Sequence, residues 1–306
     1  MAVWHTPVLL AEVVEALRIR PEGTYLDATL GTAGHAVEIA RRLTTGRLVG
    51  LDRDPQAIAI ARDRLGELEP RERRVNLVQA DFSRIGEVAA ELNLPPLDGV
   101  LADLGVSSLE LDTPERGFAF RFPGPLDMRM SPDAALTADE IVNRWPEREL
   151  ADLLYRKAEE HDSRRIARAI VRSRPIRDTQ HLATVVAGAQ KARGRQKLHP
   201  ATKTFLALRI AVNREEEELE QFLSWAPATL SPGGRCVVIS YHSLEDRLVK
   251  HTFQRLARQG EFRVLTKKVI APGAQEIESN PRARSAKMRV AEKLSQSSAI
   301  AEEARS

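Results

Sequence analysis

The sequence is poor in the residue types that build disulfide-bonded, metal-binding and membrane-spanning proteins. Its 306 residues contain one cysteine, Cys236, which excludes an internal disulfide framework and favours a reducing compartment. Cys236 lies inside a strand pattern, so we expect a buried structural thiol. The seven histidines show no metal-ligand spacing, and no metal site is predicted. With no apolar run of membrane-spanning length and no basic-then-apolar leader, the chain is expected to be cytoplasmic.

The formal net charge is only +3, but the charge is unevenly distributed. Between residues 163 and 210, twelve cations stand against one acid, Asp178, which leaves a local charge of +11. Such an imbalance predicts a polyanionic partner, held by phosphate contacts that weaken as salt is added. The twelve cations are Arg164, Arg165, Arg168, Arg172, Arg174, Arg177, Lys191, Arg193, Arg195, Lys197, Lys203 and Arg209.

A β-α-β pattern near the N-terminus predicts a nucleoside-binding unit. An apolar run ends in Asp27 and is followed by Gly31 and Gly34, a helical pattern, and a second apolar run that ends in Asp52. The glycines allow close approach of a ligand, and the second acid is placed to accept hydrogen bonds from a ribose diol. The third glycine of the dinucleotide fingerprint is missing, which weakens the case for a bound pyrophosphate.

Four successive predicted strands end in or beside an acid. These acids are Asp27, Asp52, Asp81 and Asp103. In an open parallel sheet such ends line one crevice, where acids suit a cation that carries hydroxyl and amino groups, such as S-adenosylmethionine. The row favours a methyltransferase over an NAD-dependent oxidoreductase, because it would repel a pyrophosphate. A non-catalytic RNA-binding protein on a decayed methyltransferase fold is disfavoured, because the acids and both glycines are intact.

The alternation of strands and helices stops after Asp103 and resumes near residue 235. Between them the pattern predicts a loop and then several helices, the first opened by a capping box of Thr137 and Glu140. The predicted fold is therefore α/β, a Rossmann-like class I methyltransferase sheet with an inserted, smaller all-helical domain. We expect residues 1–111 and 209–306 to form the cofactor-binding domain and residues 112–208 the inserted RNA-binding domain.

Three further motifs have both a structural and a functional interpretation. Lys203, Arg209 and Asn213 are neighbours on a predicted helix, where they face either the active-site cleft or partners in the core. Tyr241 and His242 follow a strand, where a base could stack or form hydrogen bonds. The turn at residues 280–287 carries Arg282 and Arg284, which suits either a solvated edge or phosphate contact.

Taken in order, these motifs resemble the bacterial 16S rRNA cytosine-N4 methyltransferases, the MraW family, from His5 to about Val290. The resemblance implies methyl transfer from S-adenosylmethionine to N4 of a cytidine near the decoding site of 16S ribosomal RNA, within the small ribosomal subunit. It leaves the oligomeric state open, with a homodimer among the alternatives. The matching segments are 27–31 with Gly34 and His35, 52–54, 81–82, 103–108, 116–120, 126–130, 199–203, 241–246 and 280–285.

The resemblance also implies site residues. The cofactor contacts that it implies are Ala33, Gly34, His35, Asp52, Phe82, Asp103 and Glu110. Glu110 departs from the family pattern, since relatives generally carry Pro-Gln where this chain has Leu109 and Glu110.

Methylation of an exocyclic amine calls for hydrogen-bond acceptors beside it. Asp103, Ser107 and Ser108 lie where amino-methyltransferases usually place them, and which atom serves stays open because their Pro-Pro-aromatic signature is absent. The residues expected to contact the RNA are Phe118, Arg121, Arg193, Arg195, Lys197, Lys203, Tyr241, His242, Arg282 and Arg284.

Overall fold

The computed structural model of the protein describes residues 7–68, 74–190 and 199–295. Seven strands form one sheet in the order β3-β2-β1-β4-β5-β7-β6. The first five are parallel neighbours, and β7 lies antiparallel to both β5 and β6. The strands are β1 (Thr24–Asp27), β2 (Arg47–Asp52), β3 (Arg74–Gln79), β4 (Leu97–Asp103), β5 (Leu230–Ser240), β6 (Phe262–Val264) and β7 (Lys287–Lys293).

The described residues form thirteen α-helices. They are α1 (Leu10–Leu17), α2 (Gly34–Arg42), α3 (Pro55–Gly66), α4 (Ile85–Glu91), α5 (Ser108–Asp112), α6 (Ala138–Arg144), α7 (Glu147–Ala158), α8 (Ser163–Arg172), α9 (Thr179–Ala189), α10 (Thr202–Asn213), α11 (Glu215–Thr229), α12 (Ser243–Arg258) and α13 (Ala274–Ser279). None of them is both long enough and apolar enough to cross a membrane.

The chain divides into two compact units. The first contains the sheet and comprises residues 1–105 and 217–306, and the second, 106–216, contains α5 to α10. The α/β class is confirmed by the sheet and its flanking helices. The expected insert, residues 112–208, falls within the second unit, whose ends lie six residues earlier and eight residues later.

Both faces of the sheet are buried, which explains why its strands read as nearly continuous apolar runs. Successive side chains point to opposite faces. Tyr25 of β1 packs with residues of α1, α2 and α3, whereas its neighbour Leu26 packs with residues of α4, α11 and α12. Cys236 of β5 is on the second face and fully buried, as expected. Burial raises the pKa of its thiol to about 12, so it is a structural group.

The second unit has an apolar core of its own, built from α6 to α10 and the loop before them. Its helix α6 begins at the predicted residue, with the Thr137 hydroxyl accepting a hydrogen bond from the Glu140 N–H at 3.3 Å, which is one half of the predicted capping box. The buried Asn213 side chain ties the loop to α10, because it donates to the Met128 carbonyl and accepts from the Met130 N–H, each at 2.8 Å.

Candidate functional site

The loop after β1 shows two different uses of a small residue. Gly31 has φ +49° and open space where a side chain would project, which leaves its backbone accessible to a ligand. Gly34, at the start of α2, has no such space, because a Cβ there would lie 2.4 Å from the Pro7 ring. Ala33 between them is fully buried with φ 63°. The absence of a side chain at Gly34 thus serves packing inside the protein, whereas Gly31 leaves room for a ligand.

Asp52 ends β2 and supports the glycine loop. Its Oδ2 accepts the Gly31 N–H at 2.7 Å and its Oδ1 accepts the Asp54 N–H at 2.8 Å. A carboxylate oxygen has a second lone pair, so both oxygens keep capacity for ribose hydroxyls. Burial raises the pKa of Asp52 to about 6, although its two backbone donors act in the opposite direction.

Asp27 ends β1 and is almost completely buried, at 1% exposure. Its pKa is raised to about 6, chiefly by burial; His35 and the hydrogen bond from the Thr29 N–H lower it, and the carboxylates of Asp103 and Asp52 add smaller raising effects. Asp27 therefore lies close enough to Asp103 and to Asp52 for both charges to repel its own. Such a group of acids is stabilised by a positive charge placed among them.

Asp103 ends β4, beside β1, and three side chains lie against it. Its backbone N–H donates to the Thr29 hydroxyl at 2.6 Å. Its Oδ1 accepts the Tyr241 hydroxyl at 2.8 Å, and its Oδ2 lies 3.5 Å from Nε2 of His35. Because β1 has β2 on one side and β4 on the other, this is the switch point at which open α/β sheets bind ligands.

The fourth acid of the row, Asp81, has a different environment. Its side chain is 41% exposed, and its Oδ1 lies 2.8 Å from Nε of Arg53. Asp81 stands near the end of β3 as expected, but it differs from the other three acids because it already has a cationic partner. Phe82 follows it in a short 3₁₀ turn, half-buried, with its ring 5.6 Å from that of Phe222.

The predicted residues of the second unit are largely engaged within that unit. Glu110 is buried and closes a capping box with Ser107, which opens α5. The Ser107 hydroxyl both donates to Glu110 Oε2 and accepts from its N–H. Phe118 lies in the core of the unit at 7% exposure, so in the structure its ring is packed against protein and not offered to a base.

The predicted RNA-contacting cations fall into three groups. Arg121 and Arg284 are exposed and Arg282 is half-buried. Lys203 is exposed, but its ammonium donates to the Glu159 carbonyl at 2.8 Å. Arg193, Arg195 and Lys197 lie outside the described residues.

On α10, the two neighbours of Lys203 have hydrogen-bond partners inside the second unit. Arg209 binds both carboxylate oxygens of Glu215 at 2.7 Å, and Asn213 anchors the loop as described above. Of the two interpretations of these residues, partners within the unit account for Arg209 and Asn213.

Tyr241 and His242, expected to contact a base, follow β5 in the first unit. The imidazole of His242 caps α12 and lies 3.0 Å from Glu245, whose Oε2 accepts the Tyr241 N–H at 2.8 Å. The turn into α12 is thus held by a capping box, and the Tyr241 side chain is directed to Asp103.

Two residues of the site escaped the sequence analysis. Thr29 joins the ends of β1 and β4 through its hydroxyl, and Arg53 neutralises Asp81. Arg53 stands directly after Asp52, and the presence of a cation in the row of four strand-end acids could have indicated that one of them is paired. Nothing local distinguishes Thr29, because its partner lies 74 residues away in sequence.

This set of side chains fits S-adenosylmethionine. A buried carboxylate, Asp27, that is repelled by those of Asp52 and Asp103 suits its positive charges, and Asp52 keeps acceptor capacity for its ribose hydroxyls. Among the described residues, both ring nitrogens of the buried His35 lack a hydrogen-bond partner of good geometry, which marks a polar environment that protein alone does not satisfy.

Comparison with known proteins agrees with this chemistry. The chain is 51% identical over 295 residues to a protein of Acidobacterium capsulatum named ribosomal RNA small subunit methyltransferase H, covering 94% of this chain and 98% of that one. A Cyanothece protein of the same name is 50% identical over 290 residues, covering 95% of each chain. Residues 2–294 match the profile of the MraW methylases. The chain therefore belongs to the MraW methylase family, its fold is the expected class I methyltransferase fold, and its cofactor is S-adenosylmethionine.

Proposed function

We propose that this protein transfers a methyl group from S-adenosylmethionine to N4 of a cytidine near the decoding site of 16S ribosomal RNA. The observation that carries the proposal is the group formed by Asp27, Asp52 and Asp103 around the glycine loop. The names of the relatives support small-subunit ribosomal RNA as the substrate. The motifs shared with cytosine-N4 methyltransferases support the base and the atom.

The strand ends supply the expected cofactor contacts. Asp52 would accept the ribose hydroxyls, Asp103 the methionyl amino group, and Phe82 would flank the adenine. Ala33, Gly34 and His35 would contribute contacts from the start of α2, with Glu110 as the contact that departs from the family pattern. When bound, S-adenosylmethionine supplies an activated methyl group on a sulfonium, so the protein's task is mainly alignment.

The protein must also favour the reactive geometry of N4, whose lone pair is delocalised into the cytosine ring. Hydrogen-bond acceptors for its N–H groups would do so and would stabilise the developing positive charge. Asp103 keeps free lone pairs after accepting from Tyr241, and the Ser108 hydroxyl has no hydrogen-bond partner among the described residues. Since Ser107 is occupied by Glu110, Asp103 and Ser108 are the preferred candidates.

A cytidine inside folded RNA must leave its stack to reach a methyl donor. The RNA around it would be held by phosphate contacts, for which α8 offers the best-defined surface of the basic stretch. Four arginines on this helix are exposed, whereas its apolar side packs into the core of the second unit. The exposed residues are Arg164, Arg165, Arg168 and Arg172.

Mass-spectrometric mapping of methylated nucleosides in ribosomal RNA tests the proposal. We expect cells that lack the protein to lose one cytosine-N4 methyl group near the decoding site of 16S ribosomal RNA. The wild-type gene should restore it and Asp103→Ala should not. Purified protein and labelled cofactor, offered naked 16S RNA or small subunits, would then identify the form of the substrate.

Two outcomes would contradict the proposal at different levels. Loss of a methyl group from another atom or base would exclude cytosine N4 and retain a ribosomal RNA methyltransferase. An unchanged set of methylated nucleosides in ribosomal RNA would exclude that substrate altogether.

A further inference from the structure

Tyr241 is held in one orientation by its surroundings in the first unit. It directly follows β5, and the neighbouring strand β4 ends in Asp103, which is paired with Ile239. The Tyr241 N–H is fixed by Glu245, and its ring packs on the core formed by α1, α2 and β5 residues. A Cβ added to Gly105, which has φ +100°, would contact the ring at 3.4 Å, so the chain after β4 follows one side of it.

The hydroxyl of this ring is directed at one oxygen of a single carboxylate. It donates to Oδ1 of Asp103 at 2.8 Å. Burial and the adjacent Asp103 charge raise the pKa of Tyr241 far above its ordinary range, so the hydroxyl stays protonated and is a permanent donor. A hydrogen bond to a charged acceptor is among the stronger kinds.

The second oxygen of Asp103 faces another buried group. Nε2 of His35 lies 3.5 Å from Oδ2, and the His35 residue is only 6% exposed. The main chain of Asp103 is fixed in addition by its hydrogen bond to Thr29. The backbone N–H and Oδ1 of Asp103 are therefore held by hydrogen bonds, and His35 lies beside Oδ2 without hydrogen-bonding geometry.

We propose that Tyr241 is a positioning residue, which fixes the carboxylate of Asp103 in the orientation that receives the amino group of S-adenosylmethionine. This inference rests on the cofactor contact of Asp103 in the proposed function. It replaces the expected contact of the Tyr241 side chain with a base. An aspartate side chain turns about two rotatable bonds, so without such fixing it would lose rotamer freedom when the cofactor binds, and prior fixing removes that cost.

Tyr241→Phe tests the inference in the full-length protein, because it removes the hydroxyl and keeps the ring. We expect the affinity for S-adenosylmethionine, measured by calorimetry, to fall roughly 10-fold. The KM for S-adenosylmethionine should rise by a similar factor. Calorimetry needs no RNA, so an error in the RNA assignment leaves the binding test intact.

Tyr25→Phe is the matched control. Tyr25 is a buried tyrosine of the same sheet, and its hydroxyl accepts the Arg20 N–H at 2.7 Å, among residues not assigned to the site. Tyr25→Phe should lower the stability of the protein and leave cofactor affinity unchanged. A fall in affinity with Tyr241→Phe alone separates positioning from a general loss of a buried hydrogen bond.

A double-mutant cycle with Asp103→Ala shows whether Tyr241 acts through Asp103. If it does, Tyr241→Phe has no further effect on cofactor affinity in the Asp103→Ala background. Additive effects, or an affinity of Tyr241→Phe within two-fold of the wild type, would overturn the inference. If Asp103→Ala abolishes measurable binding, the comparison of Tyr241→Phe with Tyr25→Phe decides whether Tyr241 is a positioning residue. Normal cofactor binding by Asp103→Ala itself would instead refute the cofactor contact proposed above.

Discussion

At the scale of single residues, the three strand-end acids Asp27, Asp52 and Asp103 differ in the partners that they already have. Asp52 supports the loop through two backbone N–H groups, Asp103 accepts the Tyr241 hydroxyl, and Asp27 is buried among charges. Each is therefore expected to respond differently to substitution. The two predictions at this scale concern Asp52 and Asp27.

Asp52→Ala should weaken binding of S-adenosylmethionine by about 1.5–3 kcal/mol, because a charged acceptor for the ribose hydroxyls is lost. Calorimetry on the folded variant measures the effect. Alanine also leaves the N–H groups of Gly31 and Asp54 without their acceptor. Asp52→Asn is therefore the less disruptive second variant.

The neighbouring acid Asp54 provides the control for Asp52. It caps α3 by accepting the Gln56 N–H at 2.9 Å, and asparagine is an equally good cap. Asp54→Asn removes the same charge two positions away and should bind cofactor as the wild type does. Equal affinities for the two asparagine variants would contradict the ribose role of Asp52.

Asp27→Asn should change how stability depends on pH. The folded-state pKa of Asp27 is raised to about 6, so between pH 4 and 6 the folded protein binds more protons at this site than the unfolded chain. Its contribution to the free energy of unfolding therefore falls as pH rises through this range. The loss amounts to roughly 3 kcal/mol above pH 6, because one pKa unit corresponds to about 1.4 kcal/mol.

Asparagine does not ionise and keeps an oxygen for the Thr29 N–H, which Asp27 accepts at 3.2 Å. In denaturant titrations without cofactor, Asp27→Asn should therefore gain stability over the wild type as pH rises from 4 to 7. Parallel stability curves for the two proteins would show that Asp27 titrates at its ordinary pKa in the fold.

At the scale of secondary-structure elements, the basic stretch contains two kinds of cation. Arginines exposed on α8 are available for phosphate contacts, whereas others already have partners in the protein. Within the basic stretch, Arg174 donates to the Val142 and Trp145 carbonyls and Arg209 is paired with Glu215. In contrast, the side chains of Arg164, Arg165 and Arg172 of α8 are exposed and have no hydrogen bond or ion pair with any described residue. The fourth arginine, Arg168, lies 3.4 Å from Glu147.

Replacing Arg164, Arg165 and Arg172 together by glutamine should weaken RNA binding and make it less sensitive to salt. The slope of log affinity against log salt concentration should fall by about one for each lost phosphate contact. Filter binding over a range of salt concentrations measures the slope, and affinity for S-adenosylmethionine should stay unchanged. Unchanged RNA affinity with methylation at a wrong nucleotide would make α8 a specificity element.

At the scale of the whole molecule, the net charge conceals two regions of opposite sign. The whole chain carries +3 and residues 163–210 carry +11, so the remainder carries a formal charge of −8. The affinity for RNA should therefore depend on where a cation lies and only weakly on the total charge of the protein.

A charge-matched variant on α12 tests this expectation. Lys250, Arg255 and Arg258 are exposed on that helix of the first unit, and replacing them by glutamine removes as many charges as the α8 variant does. We expect the α12 variant to retain RNA affinity within about two-fold at moderate salt, where charges beyond a Debye length are screened. Equal losses for the α8 and α12 variants would mean that net charge alone governs binding.

The order of strands and helices, the glycine loop and the acids at the strand ends could all be predicted from the sequence. These features are local, because apolar periodicity, a capping residue or an acid after a strand is visible within a few positions. Thr137, for example, begins its helix as expected because its partner Glu140 is three residues away. Asp27, Asp52 and Asp103 are found at strand ends for the same reason.

Only the tertiary structure decided which of these side chains already have partners. Arg53 neutralises Asp81, Phe118 is taken into a core, and the Tyr241 hydroxyl reaches Asp103 across 138 positions of sequence. Such contacts depend on strand order and on how strands β4 and β5 are aligned, which no local pattern specifies. The sequence by itself therefore determined where the acids stand, and the packing of distant segments determined which of them remain free to bind a ligand.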